Sequence, residues 1–114
     1  MKIDEFLNKY TLHDSTLEFI EFDKENSEMT LTVDFCFWMQ PDYQKDSPEN
    51  GLVKIIFHNT SNYTFDDRQL DSNTILDATL NEAGSINICL LDDETNEPFL
   101  LTIYAQEMDI ISQS

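Results

Sequence analysis

His13 and Asp14 are the two residues of this sequence whose types and spacing best suit chemistry. They stand at a predicted helix-to-strand junction, and an imidazole beside a carboxylate is a competent start for a zinc or manganese site. Asp34, Cys36 or His58 could supply further ligands from neighbouring strands. We favour the simpler interpretation, in which Asp14 shapes the chain reversal through backbone hydrogen bonds and His13 packs beside it. A small metal-dependent enzyme centred on this pair is the alternative function of a different class.

The signatures of nucleotide binding and of nucleophilic catalysis are absent. Gly51 and Gly84 are the only glycines, so neither a phosphate-binding loop nor a dinucleotide fingerprint can form. No GxSxG nucleophile elbow occurs. Cys36 and Cys89 lie far apart without a CxxC pattern, and we expect reduced thiols in the core. We therefore predict a protein that is not an enzyme and has no cofactor, apart from the candidate divalent metal such as zinc.

Net charge is the strongest signal in the sequence. Six basic residues against 23 acidic ones give a formal net charge of -17 over 114 residues, and every charged side chain after Arg68 is a carboxylate. This excess repels nucleic acid and anionic membranes as direct partners, and it attracts a basic protein surface. Carboxylates crowded without basic neighbours are also expected to have raised pKa values. Solubility alone is the simpler explanation of such a charge.

Several of the acids fall into rows on predicted strands. Carboxylates on the same side of a strand stand about 6.6 Å apart, close to the rise of two phosphates along one DNA strand at about 3.4 Å each. Such rows fit a groove built for a phosphate backbone, although a solvated edge that prevents aggregation is the simpler interpretation. The acidic residues that we predict to contact a partner are Glu21, Asp23, Glu25, Asp92, Asp93, Glu94, Glu107 and Asp109.

Trp38 is the aromatic candidate for a partner contact. It lies on the polar side of a predicted strand and is followed by Met39, and exposed aromatic and Met residues are common anchors of protein interfaces. The alternative is that a second layer, such as the N-terminal helix, covers this side of the strand.

The elements expected to position these residues are one helix and six or seven strands. Residues 3–10 carry an apolar stripe at helical spacing with two acids in the first turn. Residues 29–39 alternate strictly between apolar and polar, which predicts a long strand with one core-facing side. In residues 16–22, apolar residues on both parities predict a strand that either has a bulge near Phe19 or is covered on both faces. The other predicted strands span residues 52–58, 75–80, 85–91, 99–105 and 108–111, the last a short edge strand.

The connections between these elements predict the topology. Residues 41–51 hold two prolines and a glycine and predict a loop, and residues 82–84 and 93–97 predict hairpin turns. Residues 61–73 are polar and carry no clear pattern. Short connections favour a meander. We therefore expect one α+β domain over residues 1–114, with a short N-terminal helix followed by mostly antiparallel strands in a meander-like sheet.

Targeting signals are not evident in the sequence. The first ten residues contain acids and an asparagine where a secretory signal would have an apolar core. The longest apolar runs are a handful of residues, which is too short to span a bilayer. We therefore expect a cytoplasmic protein of a bacterial host cell.

The segment YTLHDSTLEFI at residues 10–20, followed by MTLTVDFCFWMQ at residues 29–40, resembles small acidic bacterial proteins with an LHDS junction that leads into a β-rich body. Some proteins of this kind are placed among immunity proteins that neutralise a toxin. Size and charge also resemble anti-CRISPR proteins, several of which are strongly acidic and occupy nucleic-acid channels. The resemblance emphasises His13, Asp14, Asp34 and Trp38, and it carries no active site over to this chain.

Together these features predict a protein inhibitor that binds a basic, nucleic-acid-binding protein surface. The first expectation is an anti-CRISPR protein that blocks nucleic-acid loading of an RNA-guided nuclease. The alternative in the same physical class is an immunity protein against a basic nuclease toxin. Neither expectation includes direct binding to nucleic acid or to a membrane, because both carry negative charge.

Overall fold

The structure is a computed structural model that describes residues 1–41, 43–46, 48–65, 73–81, 85–92 and 94–112. In these ranges the chain forms one short α-helix, a 3₁₀ turn at Phe37–Met39 and eight strands in one antiparallel sheet. The elements are α1 (Ile3–Lys9), β1 (Thr16–Asp23), β2 (Glu28–Cys36), β3 (Asn50–His58), β4 (Asn62–Phe65), β5 (Asn73–Leu80), β6 (Ile86–Asp92), β7 (Glu97–Tyr104) and β8 (Glu107–Ser112).

The sheet-rich α+β class is confirmed, but the strand count and the topology differ from the prediction. The described residues form eight strands rather than six or seven, because β4 lies in the stretch 61–73 that carried no clear pattern. The order across the sheet is β4-β7-β6-β5-β1-β2-β3-β8, so a single meander is wrong. Two meanders, β1-β2-β3 and β5-β6-β7, lie side by side instead. They join where Thr16 and Leu17 of β1 pair with Thr74 and Asn73 of β5.

Away from the β1–β5 junction, the chain passes twice from one half of the sheet to the other. β3 continues into β4 after three residues, and β7 continues into β8 after two. The corner between them stays hydrogen-bonded, since the Ser61 amide donates to the Tyr104 carbonyl at 2.9 Å and the Gln106 amide to the His58 carbonyl at 3.3 Å. Asn59 takes the turn with a positive φ of 54°. The halves β1-β2-β3-β8 and β5-β6-β7-β4 are therefore continuous at both ends.

The core lies between these two halves of the sheet. Strict alternation in β2 buries Met29, Leu31, Val33 and Phe35, as the pattern predicts. The buried side chains of both halves belong to one hydrophobic cluster, so their inward sides face each other and their outer sides face away. The other strand residues in this cluster are Leu17, Val53, Ile55, Phe57, Ile75, Ile86, Ile88, Leu90, Phe99, Leu101, Ile103 and Met108.

The helix packs into this core, as its stripe predicts. Ile3 and Phe6 are buried, and Tyr10 lies at the margin with its ring 5.2 Å from that of Phe6 and 6.1 Å from that of Phe35. A helix of seven residues is stable only when docked in this way. Because α1 packs against β5 and β8, it does not cover Trp38, and the predicted alternative for that residue is wrong.

The predicted strand at residues 29–39 ends early, at Cys36. The buried side chain of Gln40 is the reason: its Nε2 donates to the carbonyls of Cys36 at 2.8 Å and Thr11 at 2.9 Å. Its Oε1 accepts from the Thr11 amide at 2.9 Å. The Cys36 carbonyl thus bonds to a side chain at the strand end, and the next three residues turn as a 3₁₀ helix. The Phe37 ring then lies over Gly51, where an added Cβ would come within 2.7 Å of it.

The other local predictions are confirmed with one exception. The β1–β2 register shifts between Leu17 and Phe19, which is the predicted bulge and turns Phe19 outward. The pairings of β5 with β6 and of β6 with β7 are the predicted hairpins, although residues 82–84 and 93 lie outside the described ranges. Both cysteines are free, but only Cys36 is in the core. Cys89 has the outward parity of β6 and is partly exposed. The described residues contain no helix long and apolar enough to cross a bilayer.

Candidate protein-binding face

Two adjacent rows of residues cross the outer side of β1, β2, β3 and β8. Partner residues in an antiparallel ladder point to the same side of the sheet, and the residues between these rows are core residues. The pairing therefore fixes which side chains are neighbours on the outer side. The rows are Glu21–Thr30–Ile56–Asp109 and Asp23–Glu28–His58–Glu107.

We call the outer side of these four strands the acidic face. Lys54 is the only Lys or Arg in the four strands, and it lies between Thr32 and Ile111 in the next row. Glu18 lies in the bulge at the margin of the face. The carboxylates on the face are Glu21, Asp23, Glu28, Asp34, Glu107 and Asp109.

The acidic face brings together residues that are far apart in the sequence. Glu21 and Asp23 stand on β1 at one edge, and Glu107 and Asp109 stand on β8 at the other, three inter-strand spacings or roughly 14 Å away. Glu25 is exposed in the turn that joins β1 to β2. Five of the eight acidic residues predicted to contact a partner are therefore on or beside one face.

His58 ties three strands of this face together. Its Nδ1 lies 2.9 Å from Oε2 of Glu28 on β2, and its Nε2 lies 2.8 Å from Oδ2 of Asp109 on β8. Both ring nitrogens of His58 therefore contact carboxylates of this face, and His58 does not join His13 and Asp14 as a further metal ligand. Glu28 was missed by the sequence analysis, although pairing the β1–β2 hairpin opposite Asp23 would have identified it.

The carboxylate pKa values that shift clearly on this face move down, not up. The hydrogen bond from His58 is the largest effect lowering the pKa of Asp109, and the N-terminal ammonium adds to it against an opposing effect of desolvation. For Asp23, hydrogen bonds from the side chain and the amide of Asn26 are the main causes of a lowered pKa. The expectation that crowding raises carboxylate pKa values is wrong for these two residues, because each has hydrogen-bond donors of its own.

Asp23 has a structural role in addition to its place on the face. Its Oδ1 accepts from the amides of Glu25 at 3.1 Å and Asn26 at 3.2 Å, and its Oδ2 accepts from Nδ2 of Asn26 at 2.8 Å. Ser27 completes the turn with a positive φ of 53°. A variant at Asp23 would therefore disturb the β1–β2 turn as well as the charge of the face.

We expect Asp109→Asn to destabilise the protein near neutral pH and to have no effect in strong acid. A lowered folded-state pKa contributes stability above the unfolded-state value of about 3.9, and this contribution is lost as pH falls through the folded-state pKa. Because Asp109 is largely exposed, the loss should be below about 1 kcal/mol. Urea unfolding of both proteins between about pH 7 and about pH 3 measures this loss.

Glu107→Gln is the matched control, since it removes one charge from the same strand and leaves the His58–Asp109 hydrogen bond in place. If Asp109→Asn stabilised the protein as much as Glu107→Gln at neutral pH, relief of self-repulsion would outweigh the bond to His58, contrary to this prediction.

Asp92 and Glu94 do not belong to the acidic face. They lie at the β6–β7 turn of the other half, where Oδ1 of Asp92 accepts from the amides of Glu94 at 3.0 Å and Thr95 at 3.4 Å. Asn96 follows with a positive φ of 58°. Asp93, the third predicted contact in this turn, lies outside the described residues.

Trp38 stands at the far end of β2 from the two rows. It lies in the 3₁₀ turn, its side chain is 48% exposed, and its amide donates to the Glu49 carbonyl at 3.1 Å. Leu52 is a second exposed apolar residue on the neighbouring strand β3. The position agrees with an aromatic contact beside the acidic face rather than within it.

The His13–Asp14 pair lies at the junction of β1 and β5. Asp14 has a positive φ of 68°. Its amide donates to the Ile75 carbonyl at 3.0 Å, and the Ile75 amide donates to the Ser15 carbonyl at 2.8 Å. Nδ1 of His13 lies 2.6 Å from the Leu76 carbonyl, while its Nε2 is 3.5 Å from the Asp14 carboxylate. These bonds agree with the structural interpretation, in which Asp14 shapes the chain reversal through backbone hydrogen bonds and His13 packs beside it. They also link the β1 side of the junction to β5.

Cys36 and Asp34 do not assemble with the junction into a ligand set. Sγ of Cys36 donates to the Asp14 carbonyl at 3.2 Å, and the Cys36 amide donates to the buried hydroxyl of Ser15 at 3.0 Å. Asp34 points to the acidic face. Within the described ranges, no three His, Cys, Asp or Glu side chains group closely enough to hold a metal ion.

No protein-family model, curated protein or solved structure matches this chain.

Proposed function

We propose that this protein is a non-enzymatic inhibitor that binds a basic, nucleic-acid-binding protein surface through its acidic face. The observation that carries the proposal is the collection of six carboxylates on one side of the four strands. They outnumber the basic groups found there, which are Lys54, Lys2 in a β-bridge with Glu107, and the N-terminal ammonium 3.5 Å from Asp109. The specific form proposed is an anti-CRISPR protein of the bacterial cytoplasm that blocks nucleic-acid loading of an RNA-guided nuclease.

The layout of the acidic face suits binding to a groove on the target protein that normally holds a phosphate backbone. Carboxylates two residues apart on one strand repeat at about 6.6 Å, near the length of two phosphate steps on one DNA strand. The two acidic edges lie roughly 14 Å apart, comparable with the major-groove width of about 12 Å. A basic groove lined for two phosphate backbones would therefore meet carboxylates at similar separations.

Trp38 supplies the apolar part of the proposed contact. Charge complementarity mainly sets the approach and the specificity of an interface, whereas buried aromatic residues provide much of the affinity. Its half-exposed ring at the end of β2 is available for such a contact. Asp92 and Glu94, on the other half of the sheet, would contribute only to the long-range field.

The decisive experiment compares two triple variants of equal net charge. The acidic-face variant carries Glu21→Gln, Glu25→Gln and Glu107→Gln, and the control carries the same change at three exposed residues away from the face. Each variant loses three negative charges, so the net charge of -17 becomes -14 in both. The control positions are Glu5, Glu94 and Glu97.

We expect the acidic-face variant to lose at least about tenfold in potency, while the control stays near the parent protein. Quantitative pull-downs from the native host identify the target, and displacement of labelled guide RNA or DNA from that target measures potency. Equal loss in both variants would sink the proposal, because net charge alone would then explain binding. A nuclease toxin recovered as the inhibited target would favour an immunity protein over an anti-CRISPR protein.

A further inference from the structure

The outer side of the other half of the sheet is almost uncharged. On the described part of β4, β5, β6 and β7, Asp77 is the only charged side chain with outward parity, and Asp92 and Glu97 pair at the strand ends with inward parity. We call this surface the neutral face. Its rows are Thr64–Thr102–Asn87–Thr79, Leu100–Cys89–Asp77 and Pro98–Leu91–Thr74.

The middle of the neutral face has the chemistry of an interface. Leu100 is 48% exposed in the central row, and Cys89 beside it is partly exposed. Oδ1 of Asn87 in the neighbouring row accepts hydrogen bonds from Oγ1 of Thr102 at 2.9 Å and from Nδ2 of Asn81 at 3.4 Å. Depletion of charge around an apolar centre is what distinguishes the core of a protein interface from ordinary surface.

We propose that the neutral face is where a second copy of this chain docks. Two copies that each carry -17 charges repel, and contact through the acidic faces would set carboxylates against carboxylates. The neutral faces meet with the least like-charge juxtaposition, since each brings one outward carboxylate, Asp77, from the described residues of its strands. A basic partner, by contrast, gains little electrostatic attraction there and is drawn to the acidic face instead.

A two-fold arrangement suits the side chains on the neutral face. A symmetric dimer uses the same patch on both subunits, so the patch has to be complementary to itself. Threonine hydroxyls and asparagine amides both donate and accept hydrogen bonds, so identical residues can pair across the axis. Leu100 can likewise pack against its symmetry mate. A dimer of this kind would point its two acidic faces in opposite directions, because acidic and neutral faces lie on opposite sides of the core.

The size of the neutral face predicts weak association. Four strands and about six residues along each strand give a surface of roughly 14 by 20 Å between backbone axes. The area enclosed by these two dimensions is smaller than the roughly 800 Å² of surface that each partner buries in a standard interface. We therefore expect a monomer–dimer equilibrium that depends on protein concentration and that sedimentation velocity can measure.

The test compares Leu100→Glu with Ile111→Glu. Leu100 and Ile111 are 48% and 51% exposed on β-strands, but they lie on the neutral and acidic faces respectively, so the same charge is added at matched exposure. We expect Leu100→Glu to raise the dimer dissociation constant at least about tenfold and Ile111→Glu to leave it within about threefold. Circular dichroism checks that both variants are folded.

Salt separates this inference from the proposed function. Screening weakens the repulsion between two acidic copies, so dimerisation should strengthen as salt rises, whereas binding to a basic target should weaken. The dimer is measured on the purified protein alone, so its failure would leave the proposed function intact, and the reverse also holds.

Cross-linking locates the interface independently. A short bismaleimide should join two copies through Cys89, and Cys89→Ser should abolish the product because Cys36 is buried. A protein that stays monomeric at high concentration and high salt would overturn the inference. Binding of a different protein to the neutral face would not rescue it. Equal weakening by Leu100→Glu and Ile111→Glu would also overturn it, since the dimer would then lie elsewhere.

Discussion

We expect the association rate of this protein with its basic target to fall at least about tenfold between low and physiological salt. The net charge of -17 and the carboxylates of the acidic face create a field that guides a basic surface towards them. The screening length shortens from about 30 Å at 0.01 M to about 8 Å at 0.15 M ionic strength, which removes most of this long-range guidance. Stopped-flow or surface plasmon resonance measurements over this range give the rate directly.

The dissociation rate should change much less with salt than the association rate, because contacts already formed are screened less. The charge-matched triple variants supply the control: the acidic-face variant should have a shallower salt dependence than the one altered at Glu5, Glu94 and Glu97. An association rate indifferent to salt would remove the acidic face from the mechanism and leave Trp38 as the main determinant of binding.

We expect Phe57→Ala to destabilise the protein by about 3–5 kcal/mol, the usual effect of emptying a buried phenylalanine site. Phe57 is the next-to-last residue of β3, with 0% exposure, and it is paired with Met29 on β2 and Met108 on β8. Few atoms can move in to fill the space, because its neighbours are held by strand pairing on both sides. With native stabilities of about 5–15 kcal/mol, this single change removes a large share of the total.

Phe19→Ala is the matched control for this prediction. The Phe19 ring is 54% exposed beside the bulge in β1, so its loss should cost below about 1 kcal/mol. Urea denaturation of both variants at moderate salt measures the free energies of unfolding. Similar losses of stability in the two variants would contradict this prediction, because burial of Phe57 would then make no difference to the effect of its removal.

Local features of the fold were predictable because they depend on neighbouring residues. Alternation in β2 identifies its core side, the apolar stripe identifies α1, and mixed parity around Phe19 identifies the bulge. The end of β2 was not predictable, since it depends on a side chain, Gln40, that bonds to both Cys36 and Thr11. No local pattern shows which amide will be buried at a strand end.

The order of the strands and the composition of the acidic face were harder to predict for the same reason. The acids of β1 and β8 were predicted as separate rows, but only the pairing of β3 with β8 puts them on one surface. Glu28, His58 and Asp109 come from three distant parts of the sequence, so their contact follows from the register and not from spacing. Similarly, Asp92 and Glu94 are acidic like the residues of the predicted rows, but they lie on the other half of the sheet.

The corner at which β3 runs into β4 and β7 runs into β8 has a consequence for how the chain folds. Each strand of this long bent hairpin pairs with a segment some forty residues or more away, as when Asn62 faces Tyr104 and Val53 faces Ser112. Closing such long loops costs entropy before any pairing offsets it, so a topology with this high contact order folds slowly, on a scale of milliseconds to seconds. The local hairpins β1–β2 and β5–β6–β7 should form first, and the corner should close last, when both halves of the sheet already exist for it to join.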